Sequence, residues 1–209
     1  VKVVFESGGE ILSSIFNKKM VSHLSNEKAG ADITSSIHKS AMPRYFGLIE
    51  LKRPYYILTD LGYKYAYSKT QKNKIDVLFD AISSISFGNN NNAVSSESNV
   101  EPPLVFLKML RDLGQATKTE FGCMLYFLEV LNLDYKSSIK RLNSISDLNK
   151  EKNKIKNSGG NKFFDPKIDI FFKSIEIIES GSLISNYKLT DYVLNHYGPL
   201  IDDFIILSS

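Results

Sequence analysis

The chain has 209 residues, 43% of them apolar, and carries 26 Lys and Arg against 23 Asp and Glu for a formal charge of +3. That is enough chain for one large core or two small ones, and too mild a charge balance to specify a nucleic-acid partner by itself. A single cysteine, Cys123 in the apolar run "FGCMLYFLEVL", excludes a disulfide framework and a cysteine metal site and reads as a core thiol. No apolar run approaches the roughly 20 residues that span a bilayer, and no signal peptide opens the chain, so a cytoplasmic protein without a membrane partner is expected. The opening Val1, in place of a methionine, gives the expectation of processing or excision from a longer parent.

Along the chain, "EILSSIFNKKM" sets Ile11, Leu12, Ile15 and Phe16 at helical spacing and predicts a first helix. Asp32 is placed to cap a second, "ITSSIHKSAM", with Ser35, Ser36, His38 and Lys39 at polar positions. Gly47 then reads as a helix stop. Two short β-rich runs, "LIEL" and "YYILT", flank Lys52-Arg53-Pro54 as a hairpin. "TDLGYKYAYSK" and "NKIDVLFDAISSI" return to helical spacing, with Ile75, Leu78, Phe79 and Ile82 on one side. Helix, helix, hairpin, helix is the order of a winged helix.

"GNNNNAVSSESNVEPP", residues 88–103, is too polar to bury a core and predicts a linker between a first domain, 1–87, and a second, 104–209. The second opens with "PPLVFLKMLRDLG", a helix with proline at its start and glycine at its end. Thr117 and Glu120 have the spacing of a capping box. Asp134 caps "YKSSIKRLNSI", whose apolar stripe is Tyr135, Ile139, Leu142 and Ile145 and whose other face carries Lys136, Ser137, Lys140, Arg141, Asn143 and Ser144. The polar tract 146–162 predicts a flexible loop. "DPKIDIFFKSIEIIESG" predicts a helix capped by Asp165, with Pro166 in its first turn and Gly181 as its stop.

"GSLISNYKLTDYVLNHY", from Gly181, then echoes "GLIELKRPYYILTDLGYKY", from Gly47: Leu-Ile leads across a turn to Tyr, then Leu-Thr-Asp, then a tyrosine-rich helix. The expectation is a mainly α fold with small β-hairpins, an α+β class, arranged as two tandem winged-helix (helix-turn-helix) domains.

Glu50 and Lys52 form an E-x-K that on a strand would face one side, as in nucleases of the PD-(D/E)xK type, with Asp32 upstream. Asp32 precedes a helical pattern, however, and the chain turns into a second strand straight after Lys52, so a wing explains more of the neighbours. His23, His38 and His196 lack metal-ligand spacing, and "NSGGNK" lacks the context of a phosphate loop. No catalytic, metal or cofactor residue is assigned to the chain.

A winged helix offers duplex DNA a helix for the major groove and a hairpin for the flanking backbone. The strongest signal is "DYKSSIKRL", because a reading helix needs an apolar face to dock and a cationic, hydrogen-bonding face to reach DNA. The DNA-binding candidates are Lys136, Ser137, Lys140, Arg141 and Asn143 there, Lys118 at the capping box, Lys52 and Arg53 at the first wing, and Ser35, Ser36, His38, Lys39 and Arg44 before it. Lys150, Lys152, Lys154, Lys156 and Lys162 suggest a mobile electrostatic arm. Tyr45, Tyr55 and Tyr56 fit core or wing packing.

"FGLIEL…YYILTDLGYKYAYSK", "DAISS" and "PP…KMLRDLGQATKTEFG", from about Arg44 to Gly122, resemble the recognition portion of type IIS restriction endonucleases of the FokI family. That resemblance implies tandem winged-helix subdomains reading an asymmetric duplex site, and a separate PD-(D/E)xK cleavage domain that has no counterpart in this chain. Magnesium is then expected only with an attached nuclease domain or subunit. The alternatives are a winged-helix transcription regulator or plasmid replication initiator, and a winged-helix protein-interaction scaffold.

Overall fold

The computed structural model describes residues 1–25, 42–86, 100–164, 168–181 and 185–207. Two compact units, Val1–Ser95 and Ser96–Ser209, are mostly helical, each with a small antiparallel sheet.

The first unit runs α1 (Lys2–Phe5), β1 (Glu10–Leu12), α2 (Ser13–Ser25), a helical turn at 42–45, β2 (Ile49–Lys52), β3 (Tyr55–Leu58), α3 (Asp60–Tyr67) and α4 (Gln71–Ser86). The hairpin lies where the two β-rich runs predict it. The helix expected from Glu10 does not: Glu10, Ile11 and Leu12 are a strand paired with Ile57, Tyr56 and Tyr55, and the helix starts only at Ser13. Gly9, at φ +91, turns the chain into that strand and accepts a hydrogen bond from Leu58 N–H at 2.7 Å. Ile11 and Phe16 are buried as expected, whereas Ile15 is left 43% exposed because the switch from strand to helix breaks the common face. Ile11 and Phe16 pack with Val4, Ile49, Tyr56 and Leu58. Ile75, Leu78, Phe79 and Ile82 are all buried along α4.

The second unit runs α5 (Pro102–Leu113), β4 (Ala116–Thr117), α6 (Lys118–Glu129), α7 (Tyr135–Asn143), α8 (Leu148–Asn157), a 3-10 helix (Gly160–Phe164), α9 (Ile168–Ser174), β5 (Ile178–Ser180), β6 (Asn186–Leu189) and α10 (Asp191–Asp202). Pro102 and Pro103 form the first turn of α5, and Val100 is buried, so the tract read as a linker to residue 103 gives way to folded chain by Val100. The capping box closes: Thr117 N–H donates to Glu120 Oε2 at 2.6 Å, and Glu120 N–H to Thr117 Oγ1 at 3.1 Å.

Two expectations are corrected. Residues 146–162 are not a loop: Asp147 caps α8 by accepting from Lys150 N–H at 3.0 Å, and Ile155 and Phe163 are buried. Ile155 is the buried anchor of this lysine-rich helix and Asp147 its cap, while Phe163 anchors the 3-10 helix that follows. The helix expected to run to Gly181 stops at Ser174, and Ile178–Ser180 is a strand, so Gly181 ends a strand; Asp165 and Pro166 lie outside the described residues. The break comes at Glu176, whose φ of +59 leaves the helical region and turns the isoleucine run into the sheet.

Both sheets have the same plan. Their orders are β1-β3-β2 and β4-β6-β5, with the strand after the first helix pairing the second strand of the hairpin. Ile49 pairs Leu58 where Ile178 pairs Leu189, and Ile11 pairs Tyr56 where Ala116 pairs Tyr187. Gly47, at φ +65, stands where Glu176 stands. The counterpart of Gly47–Leu51 is therefore Glu176–Ser180, and the sequence match that began at Gly181 is correct only in its second half, Leu-Thr-Asp. Leu183 and Ile184 lie outside the described residues.

Candidate nucleic-acid interface

Helix α7 begins where Asp134 supplies acceptors for its first turn: Oδ1 takes Ser137 N–H at 2.8 Å and Oδ2 takes Ser137 Oγ–H at 2.6 Å. These bonds, the hydroxyl's first and the backbone's second, hold the Asp134 carboxyl below the usual carboxylate range. Ser137 is thus committed to the cap. Leu142 is buried, and Tyr135, Ile139 and Ile145 are half-buried, which is the predicted stripe. Ser138 is also wholly buried. Its polarity hides it from a hydropathy reading, and its small side chain suits the docked face. Burial, and then the Asp112 carboxylate, push the Tyr135 phenol upward.

The outer face carries Lys136, Lys140, Asn143, Arg141 and Ser144, all exposed. Residues four and then three apart put Lys136, Lys140 and Asn143 in one line. Neither lysine forms an ion pair among the described residues. Arg141 is different. Its Cζ lies 4.9 Å from the ring centre of Phe127 in α6, and its Nη2 lies 3.9 Å from Glu151 Oε1 in α8.

The lysines expected to form a mobile arm are mostly engaged on a folded helix. Lys152 and Lys156 flank the Phe164 ring at 5.8 and 5.9 Å, and Lys154 lies 3.9 Å from Glu151. Lys162 pairs with Glu129 and sits 4.8 Å above Phe163. Lys118 is also occupied: its Nζ lies 3.5 Å from Oδ1 of the buried Asp169, whose Oδ2 accepts from Tyr187 Oη at 2.9 Å. Burial, reinforced by that bond, pushes the Tyr187 phenol up to about 12.

In the first unit, Lys52 and Arg53 occupy the exposed hairpin turn, and Pro54 O accepts from Ser13 N–H at 2.8 Å, tying the turn to the start of α2. Lys52 Nζ lies 3.1 Å from Glu50 Oε2, so the E-x-K is closed on itself as an exposed ion pair. Among the described residues no group of three or more His, Cys, Asp or Glu is placed to hold a metal, and Asp32 lies outside them. Arg44 is half-buried in the turn at 42–45, while Ser35, Ser36, His38 and Lys39 lie outside the described residues. Tyr45 and Tyr56 are core residues, and Tyr55 is exposed beside the turn. In the second hairpin Lys188 pairs across the strands with Glu179 at 2.8 Å. Burial pushes the Cys123 thiol up to about 12, which suits a core residue and not a nucleophile.

Comparison with protein-family models, curated proteins and solved structures returns no match. No helix among the described residues is long and apolar enough to cross a membrane.

Proposed function

We propose that the chain binds double-stranded DNA through two winged-helix units and serves as the target-recognition module of a type II, IIS-like restriction endonuclease. The observation that carries this reading is the repeated frame, with sheet orders β1-β3-β2 and β4-β6-β5 and hairpins in matching register. A helix, a strand, further helices and a hairpin in that order are what a winged helix calls for, and two such units in tandem would suit a long, asymmetric duplex site. The outer face of α7 adds two ammonium groups, one helical turn apart, that are unpaired among the described residues and suit a polyanion. Cleavage belongs to an attached nuclease domain or subunit, and magnesium to that partner.

The test is selection of bound duplexes from a random pool by the full chain. Enrichment of one asymmetric site is the expected result. A palindrome would point instead to a dimeric regulator, and failure to retard any duplex at any salt concentration would overturn DNA binding and leave a protein-interaction scaffold.

A further inference from the structure

Resting on that DNA-binding reading, we infer that α7 grips the phosphate backbone without reading bases, through Lys136 and Lys140, and that Arg141 is a positioning residue and not a DNA contact. Base edges are read by side chains with directed, paired hydrogen-bonding groups: Arg on guanine, Asn or Gln on adenine, and Ser or Thr more loosely. On α7 most groups of that kind are already spent. The Arg141 guanidinium lies over Phe127 and faces Glu151, so it joins α7 to α6 and α8. Ser137 caps the helix through Asp134, and Ser144 Oγ donates to Arg141 O at 2.7 Å. Only Asn143 retains a directed group, and it is the last residue of the helix.

What remains is a pair of lysines. An ammonium on a flexible stem is a point charge, suited to phosphate oxygens and indifferent to base identity. Topology points the same way. The helix that leads directly into the hairpin of this unit is α9; α7 and α8 are placed between α6 and α9. A helix outside the reading position, bearing two cations that are free among the described residues, can add affinity and register without adding sequence preference.

The experiment measures binding of the full chain to its selected duplex, and to a scrambled duplex of the same composition, over a range of salt. Lys136→Ala and Lys140→Ala are each expected to weaken both complexes by the same factor and to lower the salt slope by about 0.9. Asn143→Ala is expected to leave the ratio of the two affinities within about twofold, since a lost base contact would change it by roughly tenfold or more. A tenfold fall in that ratio at any of the three positions overturns the inference while leaving DNA binding intact. Arg141→Leu, which keeps an apolar contact with Phe127, is expected to weaken binding with the salt slope unchanged. Should that variant fail to fold, Arg141→Gln takes its place: weakened binding with an unchanged slope supports the positioning role, and a slope lowered by about 0.9, or wild-type affinity, overturns it. Absence of salt-dependent binding by the unaltered chain removes the DNA reading itself.

Discussion

The Thr190 hydroxyl donates to the backbone carbonyl of Glu176 at 3.0 Å, across the entrance of the second hairpin. Thr59 makes the same bond to Gly47 at the entrance of the first. The backbone repeats as well, since Thr59 N–H donates to Leu48 O at 3.3 Å and Thr190 N–H to Ile177 O at 3.1 Å. In each unit the threonine that starts the helix after the hairpin locks the turn that starts the hairpin. That turn needs a left-handed residue: Gly47 at φ +65, but Glu176 at φ +59.

A side chain in that conformation costs about 1–2 kcal/mol, part of which a glycine gives back as unfolded-chain entropy. Glu176 is exposed and forms no ion pair among the described residues, so its side chain offsets little of this strain. Glu176→Gly should therefore stabilise the second unit by about 0.5–1 kcal/mol and raise its Tm by roughly 2–6 °C in calorimetry. An unchanged or lower Tm would contradict the strain argument.

Gly122 is expected to be intolerant for a different reason, which is space. A Cβ there would lie 2.6 Å from Phe164 Cε1 and 2.9 Å from the Phe163 carbonyl oxygen. Gly122→Ala should destabilise by about 1–3 kcal/mol despite alanine's better helix propensity. Pairing it with Phe164→Ala tests the cause. If the ring is the obstacle, the double variant is less destabilised than the sum of the two single changes; strict additivity would remove the explanation.

Where local chemistry decides the structure, the sequence was legible. Asp134, the Thr117 and Glu120 box, the Pro102 start and the hairpin around Arg53 each satisfy their own neighbours, and all lie where their signals put them. What was lost depends on distant partners. Glu10–Leu12 fits helical spacing as well as a strand, and only its pairing with Tyr55–Ile57 selects the strand. Residues 148–157 look like a loop by composition, yet Ile155 docks in a core supplied by other elements. On α7 the period exposed the right face. It could not reveal that Arg141 is tied to Phe127 and Glu151, because both come from other helices.

Lys118 illustrates the same limit and gives a separable test. With Asp169 buried between Lys118 and Tyr187, the cluster has a structural task that links α6, α9 and β6. Tyr187→Phe removes a hydrogen bond to a charged group and should cost about 1.5–3 kcal/mol in chemical denaturation. DNA affinity of the folded variant should stay within about twofold of wild type, a change below roughly 0.4 kcal/mol in binding. A stable Tyr187→Phe protein with weakened DNA binding would place this cluster in the interface after all.

The pH dependence of the second unit should be visible at its α5–α10 clamp. Arg111 Nε and Nη2 bind Asp202 Oδ1 and Oδ2 at 2.9 and 2.8 Å, and Gly198 leaves room for the guanidinium. The hydrogen bonds from Arg111, outweighing burial, hold the Asp202 carboxyl below its ordinary value. A carboxylate depressed on folding stabilises fully above the unfolded value of about 3.9, and that contribution is lost as pH falls through the folded value. Asp202→Asn should therefore lower Tm at pH 7, with the gap to wild type closing as pH drops below about 4. Asp134→Asn tests specificity: asparagine also caps helices, so less of the neutral-pH gap is expected there. A gap at Asp202 that persists unchanged down to pH 2 would mean that packing, and not the ionised clamp, is what that residue contributes.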